Sequence, residues 1–329
     1  MKQYKPLELA QKPTPLHRLN RMSELLDIDL WIKRDDLTGD ILTCGNKIRK
    51  LEYIMADAVD KKADTVIVAG GIQSNLAKTT AALAVRLGIS PVMVLAGEKP
   101  YIAKGNFFLA SLLGVETRFV EISHPSELAT AMKDVSKELE NEGARPYIVG
   151  FGASNGLGTM GYVEAYKELT VQMRKEGVEF DHQFLAAGSG GTLAGIMAGS
   201  IFENSNSLIT GISPWLSSSE VKESVWKCIR EMEGFLDIKP GSIKLKKDVE
   251  VDDSYIGSGY GIPTRECINA IRKLAREEAI LIDHTYTGKA MAALLDYVEK
   301  GRVKPGEKVL FWHTGGAPAL FTLEAEKEF

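Results

Sequence analysis

The stretch QFLAAGSGGTLAG, Gln183 to Gly195, runs an apolar strand into a glycine-rich turn that opens directly into an apolar helix. Strand, small-residue turn and helix in that order make half of a βα unit. The pattern recurs outward from there. DLWIKRDD, TVIVAGG, PVMVLAG, TRFVE, PYIVGFG, LITGIS and KVLFWHTGG are further strand candidates, each followed by a stretch suited to a helix or a connecting loop. The alternation predicts an α/β fold with open, mostly parallel twisted sheets covered by helices. Several of these strands end in glycine, and open α/β sheets take their ligands beyond the carboxyl ends of strands, beside helix N-termini.

At 329 residues and 44% apolar content, the chain has material for two cores, so two domains sharing a cleft are expected. A net charge of −4 with scattered Lys and Arg gives no electrostatic reason to bind nucleic acid. No apolar run reaches the roughly 18 residues of a membrane span, and the N-terminus lacks a signal-peptide centre, so a cytoplasmic protein without membrane contact is expected. The three cysteines, Cys44, Cys228 and Cys267, lie far apart and form no CxxC site. His17, His124, His182, His284 and His313 show no paired ligand spacing, so no metal is expected. Trp215 to Asp253 is less regular and reads as a peripheral insertion or an exposed part of the larger domain.

Three glycine turns could hold a ligand. Gly188, Ser189, Gly190, Gly191 and Thr192 precede an apolar helix, so backbone amides and the helix N-terminus offer an anion site. A dinucleotide fingerprint fails, because the sixth position is Leu193 and no acidic residue follows about 20 positions on. A nucleotide P-loop fails too, since no Gly-Lys-Ser/Thr closes the turn. In AGGIQSNLAK, Ala69 to Lys78, Ser74 or Asn75 reads as a helix N-cap, and amides near Ser74, Asn75 and Leu76 could instead receive a carboxylate. HTGGAP, His313 to Pro318, could close the same site from the opposite side. In GNKIRKLEY, Gly45 to Tyr53, Lys47 stands just behind a glycine at a helix start. A lysine is a nucleophile only when partly unprotonated, which burial or a neighbouring charge such as Arg49 or Lys50 can arrange. On these nine residues alone, a basic first turn of a solvated helix explains it as well. Asp35 and Asp36 read as a structural pair bonding backbone amides or Arg34.

PTPLHRL, WIKRDDLTG, GNKIRKLEY, GGIQSN, SNGLGTMGY, GSGGT, YGIPT, DHTYTGKAM and HTGGAPALF, spread from Pro13 to Phe321, together resemble the fold-type II pyridoxal-phosphate enzymes. The resemblance is to the group containing D-cysteine desulfhydrase and 1-aminocyclopropane-1-carboxylate (ACC) deaminase. It implies a tryptophan synthase β-like fold, a large cofactor-binding domain of residues 1–50 plus 163–329, a small domain of residues 51–162, and a homodimer. Lys47 matches the Schiff-base lysine, with Asn46 beside it. Gly188 to Thr192 match the phosphate cradle, and Ser74, Asn75 and Leu76 the substrate-carboxylate turn. Tyr260 and Tyr286 match the tyrosines that flank the substrate, and Thr287 the residue facing the pyridine nitrogen.

Two departures bear on the substrate. ACC deaminases carry glutamate at the position of Thr287, where a carboxylate would keep the pyridine nitrogen protonated. A neutral hydroxyl makes a weaker electron sink, better suited to expelling a β-substituent than to opening a ring. Desulfhydrases read SNHVRQ where this chain reads SNLAKT, so Leu76 replaces a polar side chain, and Lys78 reads as a surface charge or a contact to an anionic substrate group. The resemblance thus implies β-elimination from a small amino acid, with D-cysteine giving pyruvate, sulfide and ammonia. L-cysteate sulfo-lyase and ACC deaminase are the alternatives, and a catalytically inactive α/β ligand-binding protein is the non-enzymatic one.

Overall fold

The computed structural model describes residues 5–122, 127–245 and 248–324. Among these, the strands are β1 Leu16–Arg18, β2 Asp29–Lys33, β3 Thr65–Gly71, β4 Ser90–Ala96, β5 Glu116–Val120, β6 Pro146–Val149, β7 His182–Ala186, β8 Leu208–Ile212, β9 Glu250–Asp252 and β10 Lys308–Trp312. The helices are α1 Asn20–Leu26, α2 Asn46–Asp60, α3 Asn75–Arg86, α4 Gly105–Leu112, α5 Glu127–Asn141, α6 Gly156–Glu176, α7 Gly191–Phe202, α8 Ser218–Phe235, α9 Arg265–Glu278 and α10 Thr287–Glu299. They cover two sheets, a six-stranded one in the order β1-β2-β10-β7-β8-β9 and a four-stranded one in the order β5-β4-β3-β6. Every pairing is parallel except β1 on β2.

Parallel strands covered on both faces must be apolar on both, and TVIVAGG in β3 shows why. Val66 and Val68 pack with Ile48, Leu51 and Ile54 of α2 and Leu83 of α3, while Ile67 and Ala69 pack with Leu128, Met132 and Val135 of α5. The larger sheet is sandwiched in the same way. Phe184 and Phe311 face α9 and α10, and Leu185, Leu310 and Trp312 face α6, α7 and α8.

The strands read from sequence all form. The additional ones, β1 and β9, are three-residue edge strands that owe their conformation to pairing with β2 and β8. Trp215 to Asp253 is not peripheral: Val221, Val225, Ile229 and Met232 of α8 are buried in the core of the larger sheet, and β9 extends that sheet. The boundaries expected at 50/51 and 162/163 fall inside α2 and α6. These helices touch so closely that a Cβ on Gly161 would lie 2.1 Å from the Arg49 carbonyl oxygen. No helix among the described residues is long and apolar enough to cross a membrane.

Candidate active site

Residues at the carboxyl ends of β3, β4 and β7, and just past β10, line one cavity of about 260 Å³ between the two sheets. It brings together Asn46, Lys47, Ser74, Asn75, Leu76, Gly188, Ser189, Gly190, Thr192, Tyr260 and Tyr286, which lie more than 200 positions apart at the extremes. Lys47 occupies the first turn of α2. That helix begins against the turn after β10: Gly45 has φ +100, the Asn46 amide donates to the Thr314 carbonyl at 2.9 Å, and a Cβ on Gly45 would meet that oxygen at 2.9 Å. Desolvation lowers the Lys47 pKa to about 8, so a useful fraction of its amine is neutral near neutral pH. Arg49 does not contribute to this, since its guanidinium is held by Asp35 and Glu168.

The turn from Gly188 to Thr192 opens α7, a helix of 12 residues, with Gly190 at φ +80. Gly191 leaves no room for a side chain, because a Cβ there would stand 2.5 Å from Ser154 Oγ and 2.9 Å from Lys50 Nζ. Behind the turn, the buried Lys50 donates to the Gly152 carbonyl at 2.8 Å and to Ser154 Oγ at 3.0 Å. Ser154 Oγ also accepts the Gly191 amide at 3.1 Å and lies 2.7 Å from Ser189 Oγ. Either hydroxyl can donate in that pair, since Ser154 Oγ also reaches the Gly152 carbonyl at 3.4 Å. Thr192 Oγ1 accepts from Asn46 Nδ2 at 2.9 Å and keeps its own proton to donate.

Across the cavity, Ser74 caps α3, its Oγ accepting the Ala77 amide at 3.1 Å, so the hydroxyl proton remains available. Asn75 Oδ1 accepts from Asn106 Nδ2 at 2.8 Å, which turns the Asn75 amide group into a donor toward the cavity. Tyr260 and Tyr286 stand edge to face with hydroxyls 2.8 Å apart. Burial raises both tyrosine pKa values, so both stay protonated.

Thr287 is a correction. It is fully buried and does not line the cavity; its hydroxyl donates to Asp283 Oδ1 at 2.6 Å and accepts the Asp283 amide at 2.9 Å. The Asp283 carboxylate caps the start of α10, taking the amides of Thr285, Tyr286 and Thr287, which holds Thr287 inward. Thr314, in the turn after β10, does line the cavity. Lys78 is neither a surface charge nor a substrate contact: it is buried and donates to the Ile41 carbonyl at 2.9 Å. Arg34 does pair with Asp36, at 2.7 Å, whereas Asp35 pairs with Arg49. His284 and His313 are buried outside the cavity wall, His313 against the Leu281 carbonyl at 2.9 Å, and His124 lies outside the described residues. Among the described residues no group of three or more His, Cys, Asp or Glu could hold a metal. Ser154 and Thr314 are given no individual role in the sequence reading, and Lys50 enters it only as a charge near Lys47. The spacing of Lys50, one turn after Lys47 on an amphipathic helix, is the signal that places it on the cavity side.

The residues present fit pyridoxal phosphate. An amine with a depressed pKa faces a turn where free amide and hydroxyl donors converge on space that side chains would fill. Comparison with known proteins agrees. The family described as "Pyridoxal-phosphate dependent enzyme" matches residues 7–315. A protein of Pyrococcus abyssi, provisionally named 1-aminocyclopropane-1-carboxylate deaminase, is 39% identical over 94% of this chain and 90% of its own. The D-cysteine desulfhydrase of Serratia proteamaculans is 36% identical over 97% of this chain and 96% of its own. A crystal structure described as an ACC deaminase homologue superposes with a TM-score of 0.89 at 38% identity, covering 97% of this chain and 94% of that one. Threonine deaminase isoform 2 from Solanum lycopersicum, at 18% identity over 97% of this chain and 82% of its own, shares the fold with a TM-score of 0.65. A cavity lined by Lys47 together with the glycine turn at Gly188, in a chain matched to these relatives over nearly its whole length, makes this protein a member of the fold-type II pyridoxal-phosphate-dependent lyases and deaminases.

Proposed function

We propose that this enzyme removes the β-substituent from a small amino acid, D-cysteine giving pyruvate, sulfide and ammonia. The observation that carries elimination over ring opening is the lining of the cavity: among the described residues it includes the neutral hydroxyl of Thr314 and no carboxylate that would keep the pyridine nitrogen protonated.

Bound pyridoxal phosphate supplies an aldehyde that links reversibly to an amine and a ring that accepts electron density from the substrate α-carbon. The protein does the rest. Amides and hydroxyls of Gly188 to Thr192 hold the phosphate at the N-terminus of α7, with the Lys50 amine behind them. Lys47 anchors the cofactor; once the substrate amine takes its place, the freed Lys47 amine is the base for the α-proton. The Ser74 hydroxyl, the Asn75 side-chain amide and the backbone amides of Asn75 and Leu76 hold the substrate carboxylate. The Tyr260–Tyr286 pair has one hydroxyl proton to spare and delivers it to the departing sulfur. We further propose a homodimer; exposed Phe108 and Leu112, one turn apart on α4, support it, and sedimentation at micromolar protein tests it.

Purified protein with D- and L-cysteine, cysteate, β-chloroalanine and ACC separates the readings by product. Sulfide with pyruvate supports the proposal, sulfite would assign cysteate, and 2-oxobutyrate would assign ACC. ACC remains the second reading because the Pyrococcus abyssi relative carries that name. A protein showing no visible absorbance with pyridoxal phosphate and no turnover would be the inactive binding protein.

A further inference from the structure

Helix α10 carries one of the two cavity tyrosines itself and holds the other through a lysine. Tyr286 stands at its N-terminus as the capping residue. Tyr260 belongs to the connection between β9 and α9, where Gly257, Gly259 and Gly261 all have positive φ. The backbone bonds inside that connection, from the Ile256 amide to Asp253 and from the Ile262 amide to Gly259, are both long at 3.4 Å. Two ties to α10 hold it instead. The Tyr255 hydroxyl donates to Asp296 at 2.5 Å, and the Lys289 ammonium donates to the carbonyls of Ile256 at 2.6 Å and Gly259 at 3.0 Å. A third bond from the same nitrogen, to the Pro214 carbonyl at 3.2 Å, reaches the connection after β8.

Lys289 is 1% exposed and takes its three partners from backbone carbonyls rather than a carboxylate. An amine has three protons to give only as ammonium; a neutral amine would turn its lone pair on one of the three oxygens. The helix therefore buries a cation whose charge draws two loops onto it. Packing alone does not call for this, because a methionine of similar length would fill the space without the cost of desolvation. The Gly259 bond lies next to Tyr260 in the chain, and the Tyr260 and Tyr286 hydroxyls are 2.8 Å apart. We propose that Lys289 is a positioning residue for protonation of the leaving group: through the Ile256 and Gly259 carbonyls it sets the Tyr260 hydroxyl against Tyr286. This rests on the β-elimination reading and adds the residue that aligns its acid. The Cβ–S bond breaks with its electron pair on sulfur, sulfur takes the tyrosine proton, and water returns a proton to the pair. Lys289 does not line the cavity, so it acts only through the loop.

Cysteine and β-chloroalanine differ in the step this arrangement serves, since chloride departs without a proton and sulfide takes one. The pyridoxal-phosphate-loaded enzyme is assayed for pyruvate from the reactive enantiomer of each, and the ratio of the two kcat values is taken within each variant, where the folded fraction cancels. Lys289→Met lowers the cysteine to β-chloroalanine ratio by about tenfold, as displacement of an acid by a fraction of an ångström would. Lys289→Gln, which keeps two N–H donors, lowers it by about threefold and carries the test if the methionine variant does not fold. Added to Tyr260→Phe, Lys289→Met lowers the ratio no further, because the hydroxyl it aligns is already gone. A ratio unmoved by the Lys289 variants, or one that falls as much on the Tyr260→Phe background, overturns this inference and leaves β-elimination standing. No pyruvate from cysteine or from β-chloroalanine with the unaltered enzyme overturns both.

Discussion

Helix α2 carries three cations in four residues, Lys47, Arg49 and Lys50, and its two faces treat them in opposite ways. On one face Arg49 is buried among partners: Asp35 at 2.9 and 3.0 Å, Glu168 at 2.9 and 3.1 Å, and Thr14 Oγ1 at 3.1 Å. Tyr162 adds a 2.6 Å hydrogen bond to Asp35, and Lys33 reaches Glu168. Burial works against the Asp35 charge, yet Arg49 and Lys33 overcome it and hold its pKa below the usual carboxylate range. On the other face no carboxylate among the described residues pairs with Lys47 or Lys50. Burial lowers the pKa of Lys50 strongly, with the neighbouring Lys47 charge adding to it. The same residue class one or two positions apart thus becomes either a paired cation or an amine with a lowered pKa, and the deciding difference is whether a counter-charge is buried with it.

The comparison predicts effects of very different size. Lys47→Ala removes the amine that the cofactor and the α-proton both need; turnover falls by at least about a thousandfold and the visible absorbance of the bound cofactor disappears. A variant with an unchanged spectrum and normal turnover would remove Lys47 from the site. Asp35→Asn leaves Glu168 as the single carboxylate on Arg49 among the described residues and costs about 1.5–3 kcal/mol of stability. Its urea midpoint drops sharply while the folded fraction keeps its cofactor spectrum, and an unmoved midpoint would break the structural half of the comparison. Lys50→Met keeps the volume but removes the amine behind the phosphate turn, weakening pyridoxal-phosphate affinity about tenfold in a fluorescence titration. Equal affinity would mean that Lys50 serves packing alone.

An effect of similar size is set by pH. In the cofactor-free protein, Lys47 with a pKa of about 8 is mostly ammonium at pH 7 and mostly free amine at pH 9. Only the amine attacks the aldehyde, so the rate of cofactor uptake rises about tenfold between those pH values and levels off above. A rise extending toward pH 10.5, the ordinary lysine range, would show that burial does not depress this amine.

Much of the site is visible in the sequence because each part is local. The phosphate turn, the N-capping serine and the glycine before Lys47 are strand-to-helix turns, and small residues at those positions follow from the chemistry of the turn itself. Thr287 misleads although its partner is just as local. Its alignment position is clear, but its direction depends on Asp283, four residues earlier, whose carboxylate pulls the hydroxyl away from the cavity. Lys78 misleads likewise, because its partner, the Ile41 carbonyl, lies 37 positions away on another segment.

By itself the sequence determined the βα alternation, the buried strands and the glycine turns, since period, polarity and backbone freedom act over a few residues. Only the tertiary structure decided which cation is buried with a counter-charge and which without one, that Lys78 turns inward, and that Trp215 and Phe151 stand in line with the tyrosines. Those outcomes depend on desolvation and on partners contributed by distant segments, and no spacing along the chain encodes either.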